Sequence, residues 1–311
     1  MAKKYNHTAG LTGAALERKL KHLKVSKKNQ SKKYTRSKVG NLTYVIFLMF
    51  LGMVSMLPFI YCIATSFKPL DELLIFPPRF LVRRPTMQNY LVLPSLLSNL
   101  RVPLSKYIFN SVFTSVVTTA LYVVVSSMAA FTLSKSNIKG KKIFFLMVQF
   151  ALLFNAYTLA IPRYLIYSNL DMIDTYWVYI LPMLSHTMGV FLMKQYMEGA
   201  IPNALLEAAM IDGASTYRVF WQIVLPIVKP CLMTLTLFGF RDAWAQIPGE
   251  TIFNESLKTL PTIMSQVSQG GIARSGSAMA ITVIMMIPPI IVYLVSQSNV
   301  LESMNSAGIK E

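Results

Sequence analysis

Ile201-Pro202-Asn203-Ala204-Leu205-Leu206-Glu207-Ala208-Ala209-Met210-Ile211-Asp212-Gly213 continues as Ala214-Ser215-Thr216-Tyr217-Arg218-Val219-Phe220-Trp221-Gln222-Ile223-Val224-Leu225-Pro226. Asn203 follows a proline and is placed to cap a helix. Residues 204–211 are good helix formers, and Gly213 stands where a left-handed turn would end them. Ser215 is placed to cap a second short helix running to about Ile223, before Pro226 opens the next segment. Leu205, Leu206, Met210, Phe220 and Trp221 make a poor water-facing loop. Two short helices with a glycine hinge suit insertion into a groove on a partner. An amphipathic connector lying on a membrane is the plainer reading.

The flanks of this stretch are apolar, and so is most of the chain. Of 311 residues 54% are hydrophobic and only 14% charged, with a mean hydropathy of +0.48. Soluble chains carry about 25% charged residues, so this one cannot cover a water-facing surface. Two cysteines make neither a disulfide framework nor a four-ligand zinc site. Soluble enzyme, secreted disulfide scaffold and disordered chain are excluded, which leaves an integral membrane protein. A crossing helix needs about 20 mostly apolar residues. Six stretches qualify: approximately 42–65, 107–133, 143–161, 176–193, 227–247 and 278–296. The fold class expected is an all-α membrane protein with six transmembrane helices.

Charge sets the expected orientation. The formal net charge is +17, and residues 1–39 hold twelve Lys or Arg against one acid, Glu17, a net of +11. Leu16, Leu20 and Leu23 recur there at helical spacing among cations, which suits a short basic helix on anionic lipid. Nucleic-acid binding is the less favoured reading of this tail. The loop 134–142 carries Lys135, Lys139, Lys141 and Lys142 with no acid, so it belongs with the tail on the inside. Six spans then put both termini in the cytoplasm, although the outside loop 66–106 also holds six Lys or Arg. The expected organisation is a basic cytoplasmic tail, 1–39, followed by a transmembrane domain, 40–311.

Glu207-Ala208-Ala209, three residues, Gly213, nine residues, Ile223, one residue and Leu225-Pro226 together resemble the EAA motif of ABC importer permease subunits. The resemblance extends over roughly 42–311 and is greatest to the carbohydrate-uptake branch, in particular the maltose-permease G-type subunits. Ser66-Phe67-Lys68-Pro69, Thr86-Met87-Gln88-Asn89-Tyr90, Asn110-Ser111, Asp174-Thr175-Tyr176 with Leu181-Pro182, and Ser306-Ala307-Gly308-Ile309-Lys310 carry it further. The basic tail lies outside it. So does Arg241-Asp242-Ala243-Trp244, where sugar permeases often have Trp-Asn.

That resemblance implies a bacterial inner-membrane location and a permease paired with a second homologous permease, a heterodimer. A dimer of ABC ATPase subunits would lie below and an extracellular solute-binding protein above. It also makes Glu207, Ala208, Ala209, Asp212, Gly213, Leu225 and Pro226 the ATPase-coupling positions of a cytoplasmic loop. The residue types suit that role: alanines allow close approach, glycine permits positive φ, and Glu207 offers a charge-assisted hydrogen bond. ATP and magnesium would sit on the partner ATPase, with no cofactor and no metal on this chain. Gly140-Lys141 lacks the earlier glycine and the following hydroxyl of a phosphate loop.

Candidate substrate-path residues are fewer. His186 falls roughly 15 Å down the fourth expected span at helical rise, and an intramembrane ionisable group is a functional candidate. A histidine hydrogen-bonded to a neighbouring helix is the competing reading. Asn155 and Gln149 on the third span face the same choice. Arg241, Asp242 and Trp244 fall about 20 Å up the fifth span. They would form either a sugar contact or a local ion pair with an interfacial tryptophan. An intramembrane enzyme needs several titratable groups at one depth, and only His186 is available, so no catalytic residue is expected. The solute expected is a carbohydrate, an oligosaccharide first. The alternative is an anionic solute such as a uronate oligosaccharide or glycerol phosphate, for which Arg79, Arg83, Arg84, Arg101 and Arg241 are the relevant cations.

Overall fold

The computed structural model describes residues 38–98, 102–154 and 158–308. The basic tail to residue 37, Arg101, Asn155 and the last three residues lie outside the described residues. Those described fall into two compact units, one ending at Ile60 and one beginning at Tyr61.

Among the described residues there are ten helices of eight residues or more and no strand. These are α1 Lys38–Ser66, α2 Leu104–Lys135, α3 Lys141–Ala151, α4 Ala160–Asn169 and α5 Trp177–Leu184. They continue as α6 Thr187–Ala200, α7 Asn203–Ile211, α8 Lys229–Trp244, α9 Leu260–Ser268 and α10 Ser275–Gly308. Three segments are long and apolar enough to cross a membrane alone: Gly40–Ser66, Leu104–Lys135 and Ile272–Val300. They match the first, second and sixth expected spans. A fourth candidate is a broken one, Thr216–Ile227 followed at 83° by Lys229–Trp244.

The third and fourth expected spans are not single helices. The stretch expected at 143–161 ends its first helix at Ala151, and α4 begins only at Ala160. The stretch expected at 176–193 breaks between Leu184 and Thr187. Pro182 lies inside α5; it removes one backbone donor and crowds the carbonyl four residues back, and the helix stops two residues later.

Within the unit beginning at Tyr61, α2 is the axis. It packs against α6, α8 and α5, while α8 packs against α10 and α9 against α10. The inward face of α2 is small and hydroxylated: Ser111, Thr114, Ser115, Thr118, Thr119, Ser126 and Ser127 are all buried. Thr114, Thr119 and Ser127 hydroxyls donate to the carbonyls of Asn110, Ser115 and Val123, four residues back. Side chains this small let neighbouring backbones come close where no hydrophobic force drives them together. The large residue within that run, Tyr122, is 2% exposed. It fits because its neighbours are Gly189 on α6 and Gly239 on α8, where an added Cβ would lie 2.3 Å from the Tyr122 hydroxyl oxygen and 2.7 Å from its Cδ1.

Candidate functional site

The segment 201–228 folds at the C-terminal end of α2. Lys135, the last residue of α2, donates through Nζ to the Ile201 carbonyl at 2.6 Å and to Asn203 Oδ1 at 3.1 Å. Asn203 is therefore the first residue of α7 and ties it to α2, and the cap position falls to Pro202 without a side-chain bond. At the other end of α7, Gly213 has φ +82°. Its N–H donates to Met210 O at 3.1 Å and the Ala214 N–H donates to Ala209 O at 3.0 Å. That pair of bonds is the Schellman termination, which satisfies carbonyls the helix end would leave free. Ser215 Oγ then accepts from the Arg218 N–H and caps the turn Thr216–Val219. The helix expected to run on to Ile223 widens instead into a π-helical turn, Phe220–Val224. Leu225–Ile227 follows, and the chain bends at Val228 into α8.

Two faces result. Leu206, Ala209, Val219, Phe220 and Val224 are buried against Ala130 of α2 and Met193 and Met197 of α6. The Phe131 and Phe220 rings lie 5.5 Å apart. The opposite face is exposed and carries Glu207, Ala208, Asp212 and Gly213. Three large apolar side chains share it: Met210 at 56% exposure, Ile211 at 86% and Tyr217 at 68%. Leu225 is half-buried and Pro226 exposed. Of the motif residues, Ala209 holds the segment down, while Glu207, Ala208, Asp212 and Gly213 look outward.

The substrate-path candidates do not converge. His186 occupies the cap position of α6 at the break after α5; it is exposed, with its ring 6.1 Å from that of Tyr122. Gln149 is exposed on α3. Arg241 and Asp242 form an ion pair at 2.8 Å, with Arg241 68% exposed. Trp244 departs from the expectation. It is 5% exposed, stacks on Phe240 at 5.7 Å, and donates its indole N–H to Met285 O on α10 at 3.0 Å. A ring enclosed on both faces by its own chain offers none to a sugar, so Trp244 belongs to the α8–α10 core.

At the N-terminal end of α2 stands a polar network that the sequence alone left unassembled. Asn110 Nδ2 donates to Ser256 O and Lys258 O, and its Oδ1 accepts from Tyr176 Oη at 2.8 Å. Ser111 Oγ accepts the Leu260 N–H at 2.8 Å, and Tyr107 Oη donates to Glu255 Oε1. Asp174, at φ +57°, accepts the Phe253 and Asn254 N–H groups on Oδ1. These bonds fasten the connection between α8 and α9 to α2 and α5. A second corner is built alike: Asn89 Nδ2 donates to Ser66 O and Lys68 O, and Tyr90 Oη donates to Ser66 Oγ. Their residue types were visible as short polar motifs, but their partners are 20 to 150 residues away.

With both ends of the bundle in view, the family model described as "Binding-protein-dependent transport system inner membrane component" matches residues 122–305, a stretch that contains the whole outward-facing segment. The chain belongs to that family. The Bacillus subtilis protein LplC is 32% identical over 74% of this chain and 76% of its own length. A polygalacturonan/rhamnogalacturonan transport system permease protein of the same species, YtcP, is 28% identical over 79% and 90%. The arabinooligosaccharides transport system permease protein AraQ of Halalkalibacterium halodurans is 27% identical over 84% and 93%. A solved bacterial ABC transporter involved in the import of the acidic polysaccharide alginate has a chain sharing the fold. That chain is 22% identical, with a TM-score of 0.65 over 85% of this chain and 98% of its own.

This permease is thus a multi-pass inner-membrane subunit of an ABC importer and carries out no catalysis of its own. Importers of this kind work with an ATPase and a solute-binding protein. For the permease the Asn110 network is a structural claim that can be measured. Asn110→Ala would leave two carbonyls and a tyrosine hydroxyl, all on half-buried residues, without their Asn110 bonds, each costing up to about 3 kcal/mol. The detergent-extracted subunit is expected to melt at least about 5 °C lower. A melting temperature within 1 °C of the parent, followed by tryptophan fluorescence, would show that the network is dispensable.

Proposed function

We propose that this chain is the transmembrane subunit of an ATP-driven importer for a carbohydrate, an oligosaccharide delivered by an extracellular solute-binding protein. Six spans cross the membrane: α1, α2, α3 with α4, α5 with α6, α8, and α10. Both termini are cytoplasmic, because Lys135, Lys139, Lys141 and Lys142 lie at the α2–α3 connection and such clusters stay inside. The 201–228 segment shares that side, since Lys135 is bonded to Ile201 and Asn203.

The observation that carries the reading is the outward face of α7. Met210 and Ile211 beside Glu207 and Asp212 form an apolar knob with acidic edges, and their exposure has no purpose in a chain standing alone. It is the docking knob for an ATPase subunit, one of two that bind ATP and magnesium. A second, homologous permease completes the pathway as a heterodimer, and His186, Asn155, Arg241 and Asp242 are this chain's contributions to the substrate path. Sugar is the solute class because relatives across most of this chain are permeases for arabinooligosaccharides and for polygalacturonan or rhamnogalacturonan.

ATPase activity of the purified complex, with its binding protein, is the test. At least threefold stimulation is expected from one class in a panel of neutral and acidic oligosaccharides. No stimulation by any sugar, with stimulation by another solute class, would replace the carbohydrate reading.

A further inference from the structure

One cavity lies at the end of the bundle opposite the coupling knob, and the mechanism above makes no use of it. It opens between α4 and the segment 246–251 and has a volume of about 640 Å3, within the range of about 300–1,000 Å3 typical of small-molecule sites.

Its first wall is one face of α4. Ala160, Arg163, Tyr164 and Tyr167 border the cavity, and their spacing of three, four and seven residues puts them on one helical face. The facing wall is Gln246, Ile247, Pro248, Gly249 and Thr251. That wall is held in place: the Asp174 N–H donates to Thr251 O at 3.0 Å, and Thr251 Oγ1 donates to Pro248 O at 2.7 Å. The floor is firm as well, because Tyr167 and Val178 pack with Tyr179 and Ile252 in one buried cluster.

The chemistry of the lining is selective. Arg163 is the one charged residue among the described side chains that border the cavity. Among the described residues Arg163 forms no ion pair with any acid. Beside the apolar Ile161, Val178, Ile247 and Pro248, the lining offers a guanidinium, two phenols and, across the gap, an amide. The planar guanidinium fork matches a carboxylate in two parallel hydrogen bonds. A tyrosine ring presents an apolar body with a polar tip, which suits the C–H face and hydroxyls of a pyranose.

We propose that this cavity is a subsite for a carboxylate-bearing sugar unit, so that the permease receives an acidic oligosaccharide. Arg163 pairs with the carboxylate, Tyr164 lies against the ring, and Gln246 hydrogen-bonds a hydroxyl. The proposal rests on the reading of the chain as a carbohydrate permease and narrows its substrate.

The test is saturation-transfer NMR on the full complex with trigalacturonate, and with the same trisaccharide methyl-esterified so that it carries no charge. The parent complex is expected to transfer saturation at least fivefold more strongly to the acid than to the ester. Arg163→Gln should erase that preference and Arg163→Lys should keep at least half of it. Tyr164→Ala should weaken transfer to the ring protons of the acid. Equal signals from acid and ester in the parent, or an undiminished preference in Arg163→Gln, would overturn the subsite and identify Arg163 as an interfacial cation reaching lipid headgroups. If the Arg163→Gln complex cannot be recovered, an acid preference in Arg163→Lys stronger than the parent's or equal signals from acid and ester in the parent would overturn it. Sugar-stimulated ATPase activity separates the two readings. Stimulation by neutral oligosaccharides alone overturns the subsite and leaves the carbohydrate importer standing. No stimulation by any sugar overturns both.

Discussion

Gly213→Pro is expected to lower solute uptake at least 100-fold while the subunit still inserts and assembles, leaving ATP hydrolysis that moves no solute. Gly213 has φ +82°, and proline fixes φ near −65°. The substitution also deletes the N–H that donates to Met210 O, and the adjoining Ala214 bond to Ala209 O depends on the same turn. No atom lies within 4 Å of the position an added Cβ would take, so the damage is one of chain direction and not of crowding. Leu206 and Ala209 remain anchored in the cluster with Met193 and Met197, which keeps α7 on the bundle. The link between α7 and the 215–224 turns is what changes, and with it the aim of Met210, Ile211 and Glu207 relative to Tyr217. Gly213→Ala keeps the N–H and pays only the left-handed strain of an L-residue, about 1–2 kcal/mol, so its uptake should fall less than 30-fold. Parallel measurement of labelled-sugar uptake and phosphate release in proteoliposomes reads both numbers. Normal uptake by the proline variant would remove the coupling role from this turn.

That prediction is available from the sequence because helix termination is local. Gly213 follows a run of helix formers and precedes a serine cap, and the capping rules need nothing from farther away. Asn203 was read by the same rules and fell one position into the helix, because Lys135, 68 residues earlier, takes its side-chain oxygen. The long apolar helices at the first, second and sixth expected spans were legible from hydropathy alone. The third and fourth were not, since an apolar count is insensitive to a turn inside an apolar stretch; Pro162 and Pro182 were the available signals. The substrate-path residues were the least legible. Trp244 reads as an interfacial ring until Met285 and Phe240 close over it. Arg163 has no local pattern at all, and it matters only because the 246–251 segment is folded opposite it. The buried hydroxyls along 111–127 mark the face on which α6 and α8 approach α2.

That face leads to the second large effect. Gly189→Ala, a change of one methyl group, is expected to reduce the recovered, detergent-stable complex at least tenfold. The new Cβ would stand 2.3 Å from Tyr122 Oη, 2.6 Å from Cζ and 2.9 Å from Leu235 Cδ1. A flexible neighbour would swing aside, but the Tyr122 ring is held on its other side by Gly239, where an added Cβ would lie 2.7 Å from Cδ1 and 3.0 Å from Cε1. The ring is fully enclosed among three helices, so relief requires α2, α6 and α8 to separate. Overpacking of this kind costs typically about 1–3 kcal/mol, occasionally more. Three helices moving together put this site at the upper end of that range, since packing and not hydrophobic transfer holds membrane helices together. The cause is checked by compensation. Tyr122→Leu shortens the side chain that the methyl strikes and alone should destabilise by about 2–3 kcal/mol through the space it leaves. Combined with Gly189→Ala it should recover at least half of the lost complex, giving a coupling between the two sites of opposite sign to their separate effects. Thermal melting of the four variants, followed by fluorescence-detected gel filtration, measures the cycle. If the two losses simply add, the Tyr122 ring is not what Gly189 makes room for, and the close approach of α6 to α2 has another cause.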